Sequence, residues 1–187
     1  MHEALGKTGT NELAAVPREL NLGCGLKRRE ACLNVDRAAP VGPDLVWDLN
    51  RYPYPLPKSR FRRIYASDVV EHLENVPDFI GNAHRLLVPD GLLEITTPHF
   101  SCANSYTNLT HRHHLGYFSF DYFTTDNELN FYSDARFEIM ERQIVFQQNL
   151  LNRFVRRLAN RHQSTYEQQF AWTFPAWFMI FRLRAVK

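Results

Sequence analysis

Neither sign of charge dominates this sequence of 187 residues: 22 Lys and Arg stand against 20 Asp and Glu, a formal net charge of +2. That argues against nucleic-acid phosphate as the main partner, which calls for a strong basic excess. Cysteine is scarce as well. Cys24, Cys32 and Cys102 are odd in number and lack metal-ligand spacing, so neither a disulfide framework nor a zinc site is expected, and a reducing, cytoplasmic setting fits. No hydrophobic run is long enough to cross a bilayer: the most apolar segment, 170–181, falls short of the ~20 residues a spanning helix needs. The start of the chain carries Glu3 and no apolar stretch behind a basic opening, which excludes an ordinary secretory signal. There are no internal repeats.

What is present belongs to a globular protein: 44% hydrophobic, 22% charged and 13% aromatic residues. The length suits one well-buried domain. Residues 1–16 mix Gly, Thr, Asn and Lys without periodicity and read as a flexible leader, leaving 17–187 as the domain. Short apolar runs at 19–22, 32–35, 45–47, 63–66 and 92–96 alternate with other patterns, the signature of βαβ units and a parallel sheet. Val76, Phe79, Ile80, Ala83, Leu86 and Leu87 fall at the offsets of one helical face. Pro89, Asp90 and Gly91 are expected to end that helix and turn the chain into the fifth strand. Segments 137–146 and 177–186 read as an antiparallel edge pair separated by an amphipathic helix. The fold class expected is therefore α/β: one Rossmann-like domain with a mostly parallel seven-stranded sheet, an antiparallel edge hairpin and helices on both faces.

Chemistry gathers where the strands end. Gly23 and Gly25 follow the first strand, where a bare backbone admits close approach of a ligand, although a structural turn uses two glycines equally well. Asp36 closes the second strand and can accept hydrogen bonds from ribose hydroxyls, or cap a turn. Asp48, after the third strand, can take the amine of an adenine with Leu49 against the ring, or be a solvated loop acid. All these positions converge on the carboxyl edge of a parallel sheet, where open α/β sheets bind ligands.

LNLGCG, the acid of LNVD, the acid of WDLN, ASDVVEHL and RLLVPDGLLEITTP, in that order over about residues 19–98, resemble the class I S-adenosylmethionine-dependent methyltransferases. Pro98-His99, Thr110-His111 and Tyr117-Phe118 are similar to a branch associated with bacterial polysaccharide and secondary-metabolite genes. The resemblance implies S-adenosyl-L-methionine as cofactor. Gly23, Cys24 and Gly25 would lie along its methionine part, Asp36 on its ribose, Asp48 and Leu49 on its adenine, Ser67 on the methionyl amine, and Asp68 at the same mouth. Two departures stand out. The third glycine is missing, and only about a dozen residues separate the glycines from Asp36 where about 20 are usual, so the first helix must be short or irregular. The same departures disfavour a dinucleotide site. No Asn-Pro-Pro-Tyr type tetrapeptide follows the fourth strand, where methyltransferases acting on adenine or glutamine amines carry one.

The expected reaction is methyl transfer to a hydroxyl of a sugar or other small metabolite, the acceptor being glycosylated or phosphorylated. The alternatives are N-methylation of an amino sugar or small amine, and a non-catalytic binding module of the same fold. His99, His111, His113 and His114 gather in a long polar loop at 98–116 that is expected to close over the acceptor. His111 is expected to take the hydroxyl's proton or hold the hydroxyl, with His99 as its rival, because histidine titrates near neutral pH; either can instead simply fix loop geometry. No carboxylate completes a ligand spacing in that loop, so no metal site is expected. Arg153, Arg156, Arg157 and Arg161 share one side of a helix beside an apolar stripe, which suits either a solvated face or contact with a phosphorylated ligand or an anionic membrane surface.

Overall fold

The apolar runs become strands of one sheet in the computed structural model, which describes residues 17–128, 131 and 133–187; the expected leader at 1–16 lies outside the described residues. The strands are β1 (Glu19–Leu22), β2 (Cys32–Asp36), β3 (Leu45–Val46), β4 (Phe61–Ser67), β5 (Leu87–Pro98), β6 (Arg136–Val145) and β7 (Phe178–Val186). Their order is β3-β2-β1-β4-β5-β7-β6. The first five run parallel, and β7 pairs antiparallel with both β5 and β6. This is the seven-stranded, mostly parallel sheet with an antiparallel edge pair that the sequence led us to expect, flanked by helices.

Alternation sorts the side chains onto two faces. Leu20, Leu22, Ile64, Ala66, Leu93, Ile95, Phe181 and Leu183 are fully buried on one face, in register with one another. Helix α1 (Val76–Leu86) belongs to the same core, burying Val76, Phe79, Ile80, Ala83 and Leu86. It begins where the Asn75 side chain accepts the Asp78 N–H at 3.0 Å, an N-cap that satisfies one of the orphan donors of the first turn. Its end differs from the sequence reading. The chain joins β5 at Leu87, opposite Phe61, and 88–91 bulge out before pairing resumes at Leu92 opposite Arg63. Pro89-Asp90-Gly91 is thus a bulge inside a long strand, with Asp90 at φ 60.

The opposite face is polar. Tyr65, Glu94 and Arg182 stand in register across β4, β5 and β7, and Glu94 pairs with Arg63 at 3.5 Å and Arg182 at 3.4 Å. The expectation of a short or irregular first helix becomes no helix at all in 23–31, and the sole helical turn between β1 and β4 is a 3-10 turn at Ala39–Val41. A buried polar ladder fixes that crossover. The Asn21 side chain donates to Asn34 Oδ1 at 3.0 Å, which also accepts the Arg29 N–H, while Asn34 Nδ2 donates to the Arg29 carbonyl and to Asp44. Asn21 and Asn34 are both buried, and satisfied side-chain networks of this kind specify one backbone path.

Beyond β5 come a short helix α2 (Ala103–Thr107) and helix α3 (Leu150–Ala159). Val155 and Ala159 of α3 pack with Ile144 of β6 and with Tyr117, Tyr166, Ala171 and Ala176 in a second, smaller core. No helix among the described residues is long and apolar enough to cross a membrane.

Candidate active site

The carboxyl ends of β1 to β4 border a pocket of about 670 Å³, within the usual size of a small-molecule site. Gly23 and Gly25 enter it from the turn after β1, Asp36 from the end of β2, Asp48 and Leu49 from the turn after β3, and Asp68 from the turn after β4. The two glycines have separate jobs, although both have positive φ. A Cβ on Gly23 would lie 2.4 Å from Val69 Cγ2, so the glycine there lets two turns pack. A Cβ on Gly25 would meet nothing within 4 Å, and Gly25 itself lines the pocket.

Asp36 does two things at once. Its Oδ2 accepts the Gly25 N–H at 2.8 Å and its Oδ1 the Ala38 N–H at 2.9 Å, so it fixes the glycine turn. A carboxylate has about four lone-pair sites, which leaves capacity for ligand hydroxyls on the pocket side. Asp48 is held likewise, its Oδ1 accepting the Asn50 N–H at 3.0 Å. Asp68 sits in the left-handed region at φ 57, where β4 turns sharply, and meets Lys27 at 3.0 Å across the mouth. That pair is well exposed, and such pairs add little to stability.

Cys24, Ser67 and His99 stand outside this lining. Cys24 is buried behind the glycine turn, and burial pushes its thiol pKa up. Ser67 ends β4 in register with Thr96. His99 is fully buried, with Nδ1 2.8 Å from Ser101 Oγ and Nε2 3.1 Å from Glu167 Oε1. Both ring nitrogens are therefore committed to the scaffold between β5 and the Tyr166–Phe170 π-turn.

The histidine loop meets the pocket on its far side, where His72, Leu109, Thr110 and Arg112 line the wall. His111 lies just behind. Its side chain and that of Glu71 are 3% and 2% exposed, with His111 Nε2 4.0 Å from Glu71 Oε1. Glu71 belongs to a 3-10 turn, Val70–His72, that precedes α1. Its Oε2 accepts from Thr97 Oγ1 at 3.0 Å, whereas Oε1 is buried without a hydrogen-bond partner. Burial raises the Glu71 pKa to about 7. Burial also lowers the pKa of His72, whose ring meets that of His111 edge-on at 4.6 Å.

A family described as "Methyltransferase domain" matches residues 13–170. The chain belongs to this methyltransferase domain family. No curated protein matches it. Among solved structures it is similar to a SAM-dependent methyltransferase from Archaeoglobus fulgidus, at 15% identity over 91% of this chain and 86% of that one, with a TM-score of 0.63. A SAM-dependent methyltransferase from Mesorhizobium loti is 18% identical over 93% and 96% of the two chains, with a TM-score of 0.55. The [4+2]-cyclase SpnF is 15% identical over 95% and 80%, with a TM-score of 0.58. The fold is that of the class I S-adenosylmethionine-dependent methyltransferases.

In this methyltransferase several pocket groups escape a reading by strand ends. Trp47 precedes Asp48, Arg37 follows Asp36, and both face the pocket with Asn50 and Leu73. Their one sequence signal was adjacency to the acids. Glu71 has the EHL motif as its sequence signal, but it lies 40 residues before His111, outside the loop that carries the histidine.

Proposed function

We propose that the chain transfers the methyl group of S-adenosylmethionine to a hydroxyl of a sugar or other small metabolite, glycosylated or phosphorylated. The observation that carries this reading is the set of three carboxylates, Asp36, Asp48 and Asp68, around a pocket that Gly23 and Gly25 also line. These residues fit the cofactor: Asp36 takes the ribose hydroxyls, Asp48 the adenine amine with Leu49 on the ring, and Asp68 the charged methionyl end. Bound there, the cofactor supplies an electrophilic methyl on a sulfonium. The protein aligns acceptor oxygen, methyl and sulfur, which alone can supply roughly 7–11 kcal/mol in favourable intramolecular cases. The new O–C bond forms as the S–C bond breaks, its electron pair stays on sulfur, and the hydroxyl proton leaves. His111, behind the Thr110 wall, takes that proton or holds the hydroxyl for attack. Its Nδ1 lies 3.3 Å from the Ser105 carbonyl, which favours the tautomer with a free Nε2 lone pair.

Helix α3 supports a second element of this reading, contact with an anionic membrane surface where acceptors are presented. Leu150, Leu151 and Phe154 are 90%, 60% and 63% exposed, while Val155 and Ala159 anchor the inner side. Arg153, Arg156, Arg157 and Arg161 line a groove beside them. An exposed apolar sector bordered by arginines is the pattern of helices that lie in a bilayer interface.

The test is transfer of isotopic methyl from S-adenosylmethionine to a panel of glycosides and sugar phosphates. We expect an O-methyl ether product, and a kcat at least about a hundredfold lower for His111→Ala with cofactor affinity retained. Methylation of amino sugars alone would overturn the hydroxyl assignment.

A further inference from the structure

We infer that Glu71, His72 and His111 form a binding site for a divalent transition cation, placed to hold the acceptor hydroxyl for methyl transfer. Their ligand atoms all lie within 4.8 Å of one another. Metal bonds of about 2.0–2.1 Å set tetrahedral ligand atoms roughly 3.4 Å apart, so small side-chain rotations close the set. Two imidazoles and one carboxylate are a donor set suited to zinc, manganese or iron, and they leave coordination positions for substrate.

Three features of the surroundings point to a ligand and not to packing alone. Glu71 is almost wholly buried, yet its Oε1 has no hydrogen-bond partner and is directed toward His111 Nε2. A buried carboxylate oxygen left so is costly unless something positive meets it. Second, each histidine has its Nδ1 beside a backbone carbonyl: His72 at 3.2 Å from Thr110 O, His111 at 3.3 Å from Ser105 O. A ligating histidine almost always donates its other N–H in this way, which fixes the tautomer and orients the ring. Thr110 Oγ1 adds a 2.9 Å contact to His72 Nδ1. Third, Thr97 Oγ1 donates to Glu71 Oε2 and so orients the carboxylate.

The location gives the site its use. His72 belongs both to the cluster and to the wall of the cofactor pocket, where Thr110, whose carbonyl and hydroxyl meet His72 Nδ1, stands beside it. A cation held there is a Lewis acid for the acceptor oxygen. His111 then holds the hydroxyl through the cation, the second of the two roles given to it above, and does not take the proton. The cation-bound hydroxyl would lose its proton to water at the pocket mouth, and the oxygen would attack the sulfonium methyl as the S–C bond breaks. This inference rests on the methyltransferase reading for its use, but not for its existence.

The experiment is titration of the chelator-stripped full chain with Mn2+ and, separately, Zn2+, followed by calorimetry and, for Mn2+, by electron paramagnetic resonance. We expect one cation per chain, and at least tenfold weaker binding in Glu71→Gln, His72→Ala and His111→Ala. His162→Ala, at an exposed histidine far along the chain, should bind as the parent does. His72→Ala keeps the test valid if the two buried variants fail to fold, since His72 is only half-buried. Absence of stoichiometric binding of either metal, or binding that survives His72→Ala and every folded variant of the other two, overturns the site. Titration with S-adenosylhomocysteine in chelator separates the two ideas: cofactor binding without metal binding leaves the methyltransferase reading standing and rejects the cation.

Discussion

Asn34 and Asp44 hold each other twice: the Asn34 N–H donates to Asp44 Oδ2 at 2.7 Å, and Asn34 Nδ2 donates to the same oxygen at 2.9 Å. Through Asn34 this pair reaches the Arg29 backbone, and so the helix-free crossover that carries Gly25. The Asn34 backbone N–H, with further donation from the Asn34 side chain and Arg28, holds the Asp44 carboxyl below the usual carboxylate range. A depressed folded-state pKa gives stability that is present above the unfolded value of about 3.9 and lost as pH falls through the folded value. Asp44→Ala is therefore expected to be less stable than the parent at pH 7, with the gap narrowing below about pH 4. Denaturant midpoints measured across that range check it; a gap independent of pH would remove the ionised pair from the account.

The two glycines of the β1 turn should separate cleanly. Gly23→Ala puts a methyl group into Val69 and is expected to lower the melting temperature. Gly25→Ala bears only the backbone strain of φ 46, about 1–2 kcal/mol, but it adds a methyl group to a residue that lines the pocket. It is expected to keep most of its stability and lose cofactor affinity. Thermal melts beside ligand titrations distinguish the pair, and equal effects on both would show that the pocket is not where the cofactor lies.

For α3, replacing Arg153, Arg156 and Arg157 by Gln is expected to spare cofactor binding and weaken binding to anionic vesicles. Juxtamembrane basic residues contribute about 1 kcal/mol each, so a loss of at least tenfold at low salt is expected in vesicle sedimentation. Unchanged sedimentation, or equal binding to neutral vesicles, would make the helix face a merely solvated one.

The sequence made the strand-end groups legible because their placement is local. A glycine or acid just after an apolar run must lie at a sheet edge, and Gly23, Gly25, Asp36, Asp48, Leu49 and Asp68 do meet there. Helix α1 was legible by its period for the same reason. Which way a side chain turns within such an edge is not local: Cys24 and Ser67 sit among pocket residues in sequence and outside the lining in space. The run PDG reads as a turn, but cross-strand pairing of Leu87 with Phe61 draws it into β5 as a bulge. Glu71 and His111 come from different segments and meet only because the loop folds back, with the N–H groups of Arg112 and His113 donating to the Glu71 carbonyl. His99 shows the converse, a residue conspicuous in sequence that the core consumes.

Calorimetric titration of S-adenosylhomocysteine into the parent chain and into Asp36→Ala tests the central claim most directly. Removing a hydrogen-bonded charged partner costs about 1.5–3 kcal/mol, or roughly 10- to 150-fold in affinity. The account requires one site per chain in the parent and a loss of that size in the variant, with the fold retained. A parent chain that binds no cofactor, or an Asp36→Ala variant that binds it as tightly, would contradict the assignment of this pocket.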